Sequence, residues 1–158
     1  MRYFLIDRVT ELVVGERIKG IKAVTLTDEV LHDHFPDYPI MPGALIIEGA
    51  AQLAGLLLEA TFQEGGRTPR RALLAQIRRA KFHELCGPGR LLEFDVKITA
   101  RQEEAAEVEV EVSVEGKRAV RADLTFVMKE IPSKRVHEQR RYLYELWTKD
   151  LPKPCKIP

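Results

Sequence analysis

The chain places a histidine, three prolines, a helix start and a carboxylate in close succession. The stretch reads His34-Phe35-Pro36-Asp37-Tyr38-Pro39-Ile40-Met41-Pro42-Gly43, followed by Ala44 to Gln52 with Glu48 and Gln52 on successive turns. An imidazole can take up and release a proton near neutral pH, which suits His34 to abstracting a proton next to a carbonyl. A helix start at Pro42-Gly43 offers backbone N–H groups with no intrahelical acceptor and the positive end of the helix dipole. Gly43 lacks a side chain, so a substrate oxygen that gains negative charge could approach its N–H closely. Burial of a carboxylate favours its proton-donating form, which makes Glu48 the candidate acid. Gln52, four residues on and on the same helix face, is placed to hold that carboxylate.

Each residue also has a plainer reading. Gly43 could be an ordinary small residue at a helix cap, and Glu48 could pair structurally with Arg78 or Arg79. His32, Asp33, His34 and Asp37 could be read as metal ligands, but a loop stiffened by prolines has little freedom to converge four of them, so no metal is expected. Tyr38 and Met41 read as packing or pocket-wall residues, and His83 and His137 have no supporting constellation.

The elements that must position these groups follow from periodicity. Each proline fixes its own φ and restrains its predecessor, so residues 34–42 form a rigid loop. Pro42 suits a helix start, where its missing N–H costs nothing. From Ala44 to Ala60 the only polar side chains are Glu48, Gln52 and Glu59, so this helix must be wrapped by other structure over most of its circumference. The segments 16–27, 73–84, 91–101, 105–115 and 118–128 read as strands. Val108, Val110, Val112 and Val114 alternate with Glu107, Glu109, Glu111 and Ser113, the pattern of a half-buried antiparallel strand. Tyr3 to Val14 reads as a short packed strand or turn. Glu115-Gly116-Lys117 marks a hairpin, Gly87-Pro88-Gly89 a break, and Glu64 to Pro69 a turn-rich loop. A final helix is expected from Lys134 to Trp147, with Val136, Tyr142, Leu143 and Leu146 as its apolar stripe, followed by an irregular tail over Leu151 to Pro158. The expectation is an α+β fold in which a curved antiparallel sheet wraps a long apolar helix. The main domain would span residues 1–130, and residues 131–158 would form an added C-terminal extension.

With 158 residues, 45% of them hydrophobic, the chain can bury one sizeable core. A net charge of +1 argues against bulk affinity for nucleic acid. The charge is unevenly spread, with six basic and no acidic residues from Arg67 to Lys81, and six glutamates against one arginine from Arg101 to Glu115. Two distant cysteines, Cys86 and Cys155, suggest neither a disulfide nor a redox pair. Charged residues interrupt the only short apolar run near the N-terminus, and no apolar stretch reaches the roughly 20 residues that span a bilayer. No membrane association is expected, and the reading is cytoplasmic.

The pattern His34-Phe35-Pro36-x-x-Pro39-x-x-Pro42-Gly43-x-Leu45-x-x-Glu48-x-x-Ala51-Gln52 resembles the signature of the (3R)-hydroxyacyl-[acyl-carrier-protein] dehydratases of bacterial fatty acid synthesis. Leu5-Ile6-Asp7-Arg8-Val9, the stretch Ile77 to Phe82 before Gly87-Pro88-Gly89, and Val120 to Phe126 extend the likeness over about residues 3 to 128. The resemblance implies the hotdog fold and a lyase that converts 3-hydroxyacyl thioesters into trans-2-enoyl thioesters. It implies His34 as the base, the Gly43 N–H as holder of the thioester oxygen, Glu48 as the group helping the hydroxyl leave, and Gln52 behind it. It further implies no metal or organic cofactor, and a homodimer, or a trimer of dimers, with each active site shared between subunits. The substrate would be carried on acyl carrier protein or coenzyme A, and the basic run from Arg67 to Lys81 is a candidate docking edge for an acidic carrier. Glutamate at position 48 resembles the dehydratase-only branch. The chain departs from the family at Asp37, where glycine is common, in lacking a Leu-Pro-His-Arg lead-in, and in its C-terminal segment. An acyl-thioester hydrolase of the same fold and a non-catalytic acyl-binding protein are the alternatives.

Overall fold

A computed structural model describes residues 3–63 and 69–153. The loop expected at Glu64 to Pro69 and the end of the tail therefore lie mostly outside the described residues. Six strands form one antiparallel sheet: β1 (Arg8–Val13), β2 (Arg17–Ala23), β3 (Arg70–Phe82), β4 (Leu91–Arg101), β5 (Ala105–Val114) and β6 (Lys117–Glu130). Their order across the sheet is β1-β2-β4-β5-β6-β3. Two helices complete the chain, α1 (Gly43–Thr61) and α2 (Lys134–Thr148). This is the hotdog architecture, with α1 as the central helix.

The alternation in sequence becomes two chemically distinct sheet faces. Val108, Val110, Val112 and Val114 of β5, with Val120, Ala122, Leu124 and Phe126 of β6, are buried against the helix. The opposite face carries cross-strand ion pairs, Glu109 with Arg121 at 2.6 Å and Glu111 with Arg118 at 2.7 Å. Both pairs are diagonal, since Glu109 faces Asp123 and Glu111 faces Arg121 in the register, and each exposed pair adds little on its own. The hairpin between β5 and β6 turns through Glu115 and Gly116, both at positive φ (53° and 75°), as a tight turn matching the twist of antiparallel strands requires.

Helix α1 is apolar almost all round and rich in alanine and leucine, both strong helix formers. Pro42 is its N-cap, with φ −56°. Leu53, Leu56, Leu57 and Leu58 are fully buried, each worth about 1.5–3 kcal/mol relative to exposure. By length and composition α1 could cross a membrane, but it is mostly buried inside the fold. Its three polar residues share one line. At 3.6 residues per turn, Glu48, Gln52 and Glu59 fall within roughly 40° of one another around the helix axis.

That line is covered by two segments outside the sheet. Residues 3–7 run over its first half as an extended segment before β1, and Gly49 lets them approach, since a Cβ there would lie 3.0 Å from the Leu5 carbonyl oxygen. Helix α2 covers its second half and also packs on β1. The α2 stripe differs from the sequence expectation. Leu143, Tyr144, Trp147 and Thr148 are buried, whereas Tyr142 and Leu146 are exposed. Tyr144 rather than Tyr142 turns inward because its hydroxyl finds a buried carboxylate, described below.

Strand β3 is the other exception to simple alternation. From Leu73 to Arg79 every residue is exposed, so both faces of this edge strand lie open within a single chain. Leu73, Leu74 and Ile77 leave an apolar row there, and Phe82 and Leu85 continue it.

Candidate active site

The loop that carries His34 is closed by its own backbone. The Phe35 N–H donates to the Tyr38 carbonyl at 3.0 Å, and the Tyr38 N–H returns to the Phe35 carbonyl at 2.9 Å. The Ile40 N–H donates to the His34 carbonyl at 2.9 Å, and the Met41 N–H to the Cys86 carbonyl at 2.7 Å. The last bond ties the loop to the Gly87-Pro88-Gly89 break, and burial raises the pKa of the Cys86 thiol. The His34–Phe35 peptide is cis. The half-buried His34 ring stacks on Phe35, with centroids 4.4 Å apart. Among the described residues the His34 ring makes no hydrogen bond.

Asp37 sits at φ +62°. That left-handed conformation is natural for glycine and tolerated by aspartate, whose short polar side chain is among the few that visit it. The sequence departure at this position therefore has a conformational meaning, and the exposed Asp37 carboxylate fits the turn without reshaping it.

The N–H of Gly43, the first helical residue, donates to no recorded acceptor among the described residues. The glycine itself answers a packing demand. A Cβ at Gly43 would lie 2.6 Å from Cε1 of Phe82, a contact that real side chains do not make. The space above its Cα is thus occupied by an aromatic ring from the end of β3, while its N–H stays available.

About one and a half turns further, Glu48 is half-buried and makes one side-chain hydrogen bond among the described residues. Gln52 Nε2 donates to Glu48 Oε1 at 3.0 Å. The same amide group donates to the Tyr3 carbonyl at 3.0 Å, and Gln52 Oε1 accepts from the Leu5 N–H at 3.1 Å. The backbone of residues 3–5 therefore fixes which end of the amide is the donor, and Gln52 presents N–H to the carboxylate. The structural pairing with Arg78 or Arg79 does not form. Arg78 pairs with Glu107 at 2.9 Å and Arg79 with Asp123 at 2.8 Å. Glu48 is left oriented but without a cationic partner among the described residues.

The structure thus brings Glu48 and Gln52 together, and it sets Gly43 at the start of the same helix. Among the described residues no hydrogen bond or ion pair joins His34 to Glu48. Two cavities flank this end of the molecule. One of about 240 Å³ is walled by Phe4, Leu5, Lys22, Val30, Met41 and Leu45, among others, and one of about 470 Å³ lies outside the loop beside Tyr38, His83, Leu85 and Arg90. Neither is lined by His34 or Glu48. No cluster of three or more metal-ligating side chains occurs among the described residues.

Within the basic run the described arginines have different surroundings. Arg78 and Arg79 pair with Glu107 and Asp123 while remaining exposed, and Arg71 is buried. Arg71 instead belongs to a polar cluster that the sequence did not reveal. Its Nη1 donates to Glu59 Oε2 at 2.6 Å, the Tyr144 hydroxyl donates to the same oxygen at 2.9 Å, and the Ala72 N–H donates to Glu59 Oε1 at 3.2 Å. His137, which had no constellation in the sequence, accepts from Arg71. Burial, with the Glu59 charge beside it, pushes the Tyr144 phenol far above its ordinary pKa. The only hint in the sequence was an acidic residue at position 59 of a helix with almost no polar side chains.

Comparison with known proteins agrees with this geometry. The FabA-like domain family matches residues 1–123. The 3-hydroxyacyl-[acyl-carrier-protein] dehydratase FabZ of Lactobacillus helveticus is 39% identical over 130 residues, covering 82% of this chain and 85% of that protein. The FabZ of Levilactobacillus brevis is 41% identical over 122 residues, covering 77% of this chain and 80% of that one. Among solved structures, the dehydratase heterocomplex ApeI:P from Xenorhabdus doucetiae superposes with a TM-score of 0.67 at 20% identity, over 87% of this chain and 88% of that chain, a likeness of fold. Together with the hotdog architecture, these matches show that the chain belongs to the FabA-like family, alongside the FabZ dehydratases.

Proposed function

We propose that the protein is a lyase that removes water from (3R)-3-hydroxyacyl thioesters to give trans-2-enoyl thioesters, with its active sites shared between the two subunits of a homodimer. The observation that carries this reading is Glu48, a carboxylate on a mostly buried helix that is oriented by Gln52 and has no cationic partner among the described residues. A structural glutamate in such a place would be neutralised, as Glu59 is.

In this reading His34 takes the α-proton, and the C–H electron pair moves toward the thioester carbonyl, whose oxygen accepts from the Gly43 N–H. The pair then forms the Cα–Cβ double bond as the Cβ–O bond breaks. The departing hydroxyl takes a proton from Glu48 and leaves as water, and the proton held on His34 restores the carboxyl group. The open edge strand β3 supports a second copy of the chain as the missing partner. Its row of Leu73, Leu74, Ile77 and Phe82 is exposed in one chain, and Phe82 also touches Gly43. A neighbour on that edge would cover apolar surface and complete the surroundings of the helix start. The thioester would be carried on acyl carrier protein or coenzyme A, in the cytoplasm.

Incubation of the purified protein with 3-hydroxyacyl and 2-enoyl thioesters tests this. Interconversion of the two without free thiol is expected. Free thiol alone would favour the hydrolase, and no reaction on either carrier would remove the catalytic reading.

A further inference from the structure

We infer that the extended segment at residues 3–5 is a positioning element of the reaction site, whose backbone sets Gln52 so that Glu48 turns its Oε2 to the substrate. The task given to Glu48 rests on the lyase reading, whereas the hold on Gln52 stands without it.

The segment fixes Gln52 through groups that have no alternative role. A carboxamide has two N–H donors on one side and an acceptor oxygen on the other. Gln52 Nε2 donates one hydrogen to the Tyr3 carbonyl at 3.0 Å and the other to Glu48 Oε1 at 3.0 Å. Gln52 Oε1 accepts from the Leu5 N–H at 3.1 Å. A backbone carbonyl can only accept and a backbone N–H can only donate. Turning the amide over would set its oxygen against two acceptors and its nitrogen against a donor, losing all three bonds. Gln52 is 9% exposed, so little water can replace them.

The consequence reaches the carboxyl group. Glu48 Oε1 is held by Gln52, and Oε2 makes no hydrogen bond among the described residues. The carbonyl oxygen of a carboxyl group accepts better than its hydroxyl oxygen, so the N–H from Gln52 makes Oε1 the carbonyl side. In the proposed elimination the proton taken by the departing hydroxyl therefore comes from Oε2.

The segment does more than cover α1. Cover needs only side chains, and the buried Leu5 and Ile6 supply it. The backbone partners at positions 3 and 5 are additional, and both go to one amide. Gly49, between Glu48 and Gln52, lets them come close, because a Cβ there would lie 3.0 Å from the Leu5 carbonyl oxygen. A glycine inside a helix is otherwise unfavourable. The segment is anchored just beyond. The Asp7 N–H donates to the Ile21 carbonyl at 2.9 Å, and Asp7 Oδ2 accepts from the Ala23 N–H at 2.7 Å.

Gly49→Ala tests the inference without altering any reacting group, since the new Cβ displaces the Leu5 carbonyl. In the purified protein, kcat for hydroxyacyl–enoyl interconversion is expected to fall about tenfold, with KM nearly unchanged. Gln52→Met keeps the length of the side chain but removes the amide, and should lower kcat similarly. Adding Gly49→Ala to Gln52→Met should then cost nothing more, because the segment acts through Gln52. Losses that multiply in the double variant would overturn the inference, as would an unchanged kcat in Gly49→Ala. Side-chain ¹H–¹⁵N spectra of the wild type give a readout that needs neither variant nor activity. Both Gln52 Nε2 hydrogens are expected to exchange slowly with solvent, and a freely exchanging Gln52 amide would refute the hold. A wild type that holds Gln52 but interconverts no thioester would remove the lyase reading and leave the hold.

Discussion

The two ends of helix α1 carry carboxylates on the same face and treat them in opposite ways. Glu59, near the C-terminal end, is 1% exposed and receives three donors, from Arg71, Tyr144 and the Ala72 backbone. Glu48, near the start, is half-buried and has one recorded donor, from Gln52. Burying a carboxylate is costly unless its charge is matched and its lone pairs are used. Glu59 meets that condition fully, which marks a group that holds structure. Glu48 meets it only in part, with its orientation fixed by Gln52 and no cation beside it among the described residues. What looks like one helix in sequence is therefore a clasp at one end and, in the proposed reading, a reaction surface at the other.

This contrast can be broken most directly at Glu48. Glu48→Ala should lower the rate of hydroxyacyl–enoyl interconversion by about 10²–10⁴-fold, while its urea midpoint stays close to that of the wild type. A large loss of stability would make Glu48 a structural residue after all. At the other end, Arg71→Ala leaves the Glu59 carboxylate buried without its cation, and about 3–5 kcal/mol of folding stability should be lost in urea denaturation. A neutral outcome would remove the clasp.

Intermediate effects are expected where the two ends meet their covers. Gly43→Ala forces a Cβ into the Phe82 ring and should cost about 1–3 kcal/mol, and Phe82→Ala in the same chain should recover most of it. Tyr144→Phe removes one donor to Glu59 and should cost about 1 kcal/mol in urea unfolding near neutral pH. The same variant sharpens the account at high pH. Folding raises the Tyr144 pKa, so its stabilising contribution is complete below the ordinary phenol range near 10 and declines as the pH rises above it. Stability measured from neutral to strongly alkaline pH should therefore fall more steeply in the wild type than in Tyr144→Phe. The smallest change is expected for Asp37→Gly, which relieves a left-handed backbone position worth about 1 kcal/mol while adding freedom to the unfolded chain. Its melting temperature should stay within a few degrees of the wild type.

Legibility in the sequence follows the range over which the deciding interactions act. The alternation of β5 and β6, their positive-φ hairpin at Glu115-Gly116 and the all-round apolar α1 are local patterns, and the structure has them where periodicity places them. The order from His34 to Gln52 is likewise local and specific, which is why its likeness to a dehydratase signature was visible. Asp37 was legible as a departure but not as a left-handed residue, since φ is set by the loop closure between Phe35 and Tyr38. The apolar stripe of α2 was misplaced because the choice between Tyr142 and Tyr144 is made by a hydroxyl bonded 85 positions away. The pairing of Arg79 with Asp123 on the neighbouring β6, and of Arg78 with Glu107 on β5 beyond it, depends on the strand order. Three of the basic residues in the run from Arg67 to Lys81, namely Arg71, Arg78 and Arg79, are therefore matched by carboxylates that are distant in sequence.

The central claim is that Glu48 is left open because the partner subunit's His34 completes its site. Mixing His34→Ala and Glu48→Ala subunits, each inactive alone, and allowing them to exchange tests it in one assay. Half of the resulting dimers pair the two variants, and a shared arrangement gives each such dimer one intact site. About a quarter of wild-type activity should return. No recovery, with subunit exchange verified, would place both residues of the site in one chain and contradict the account.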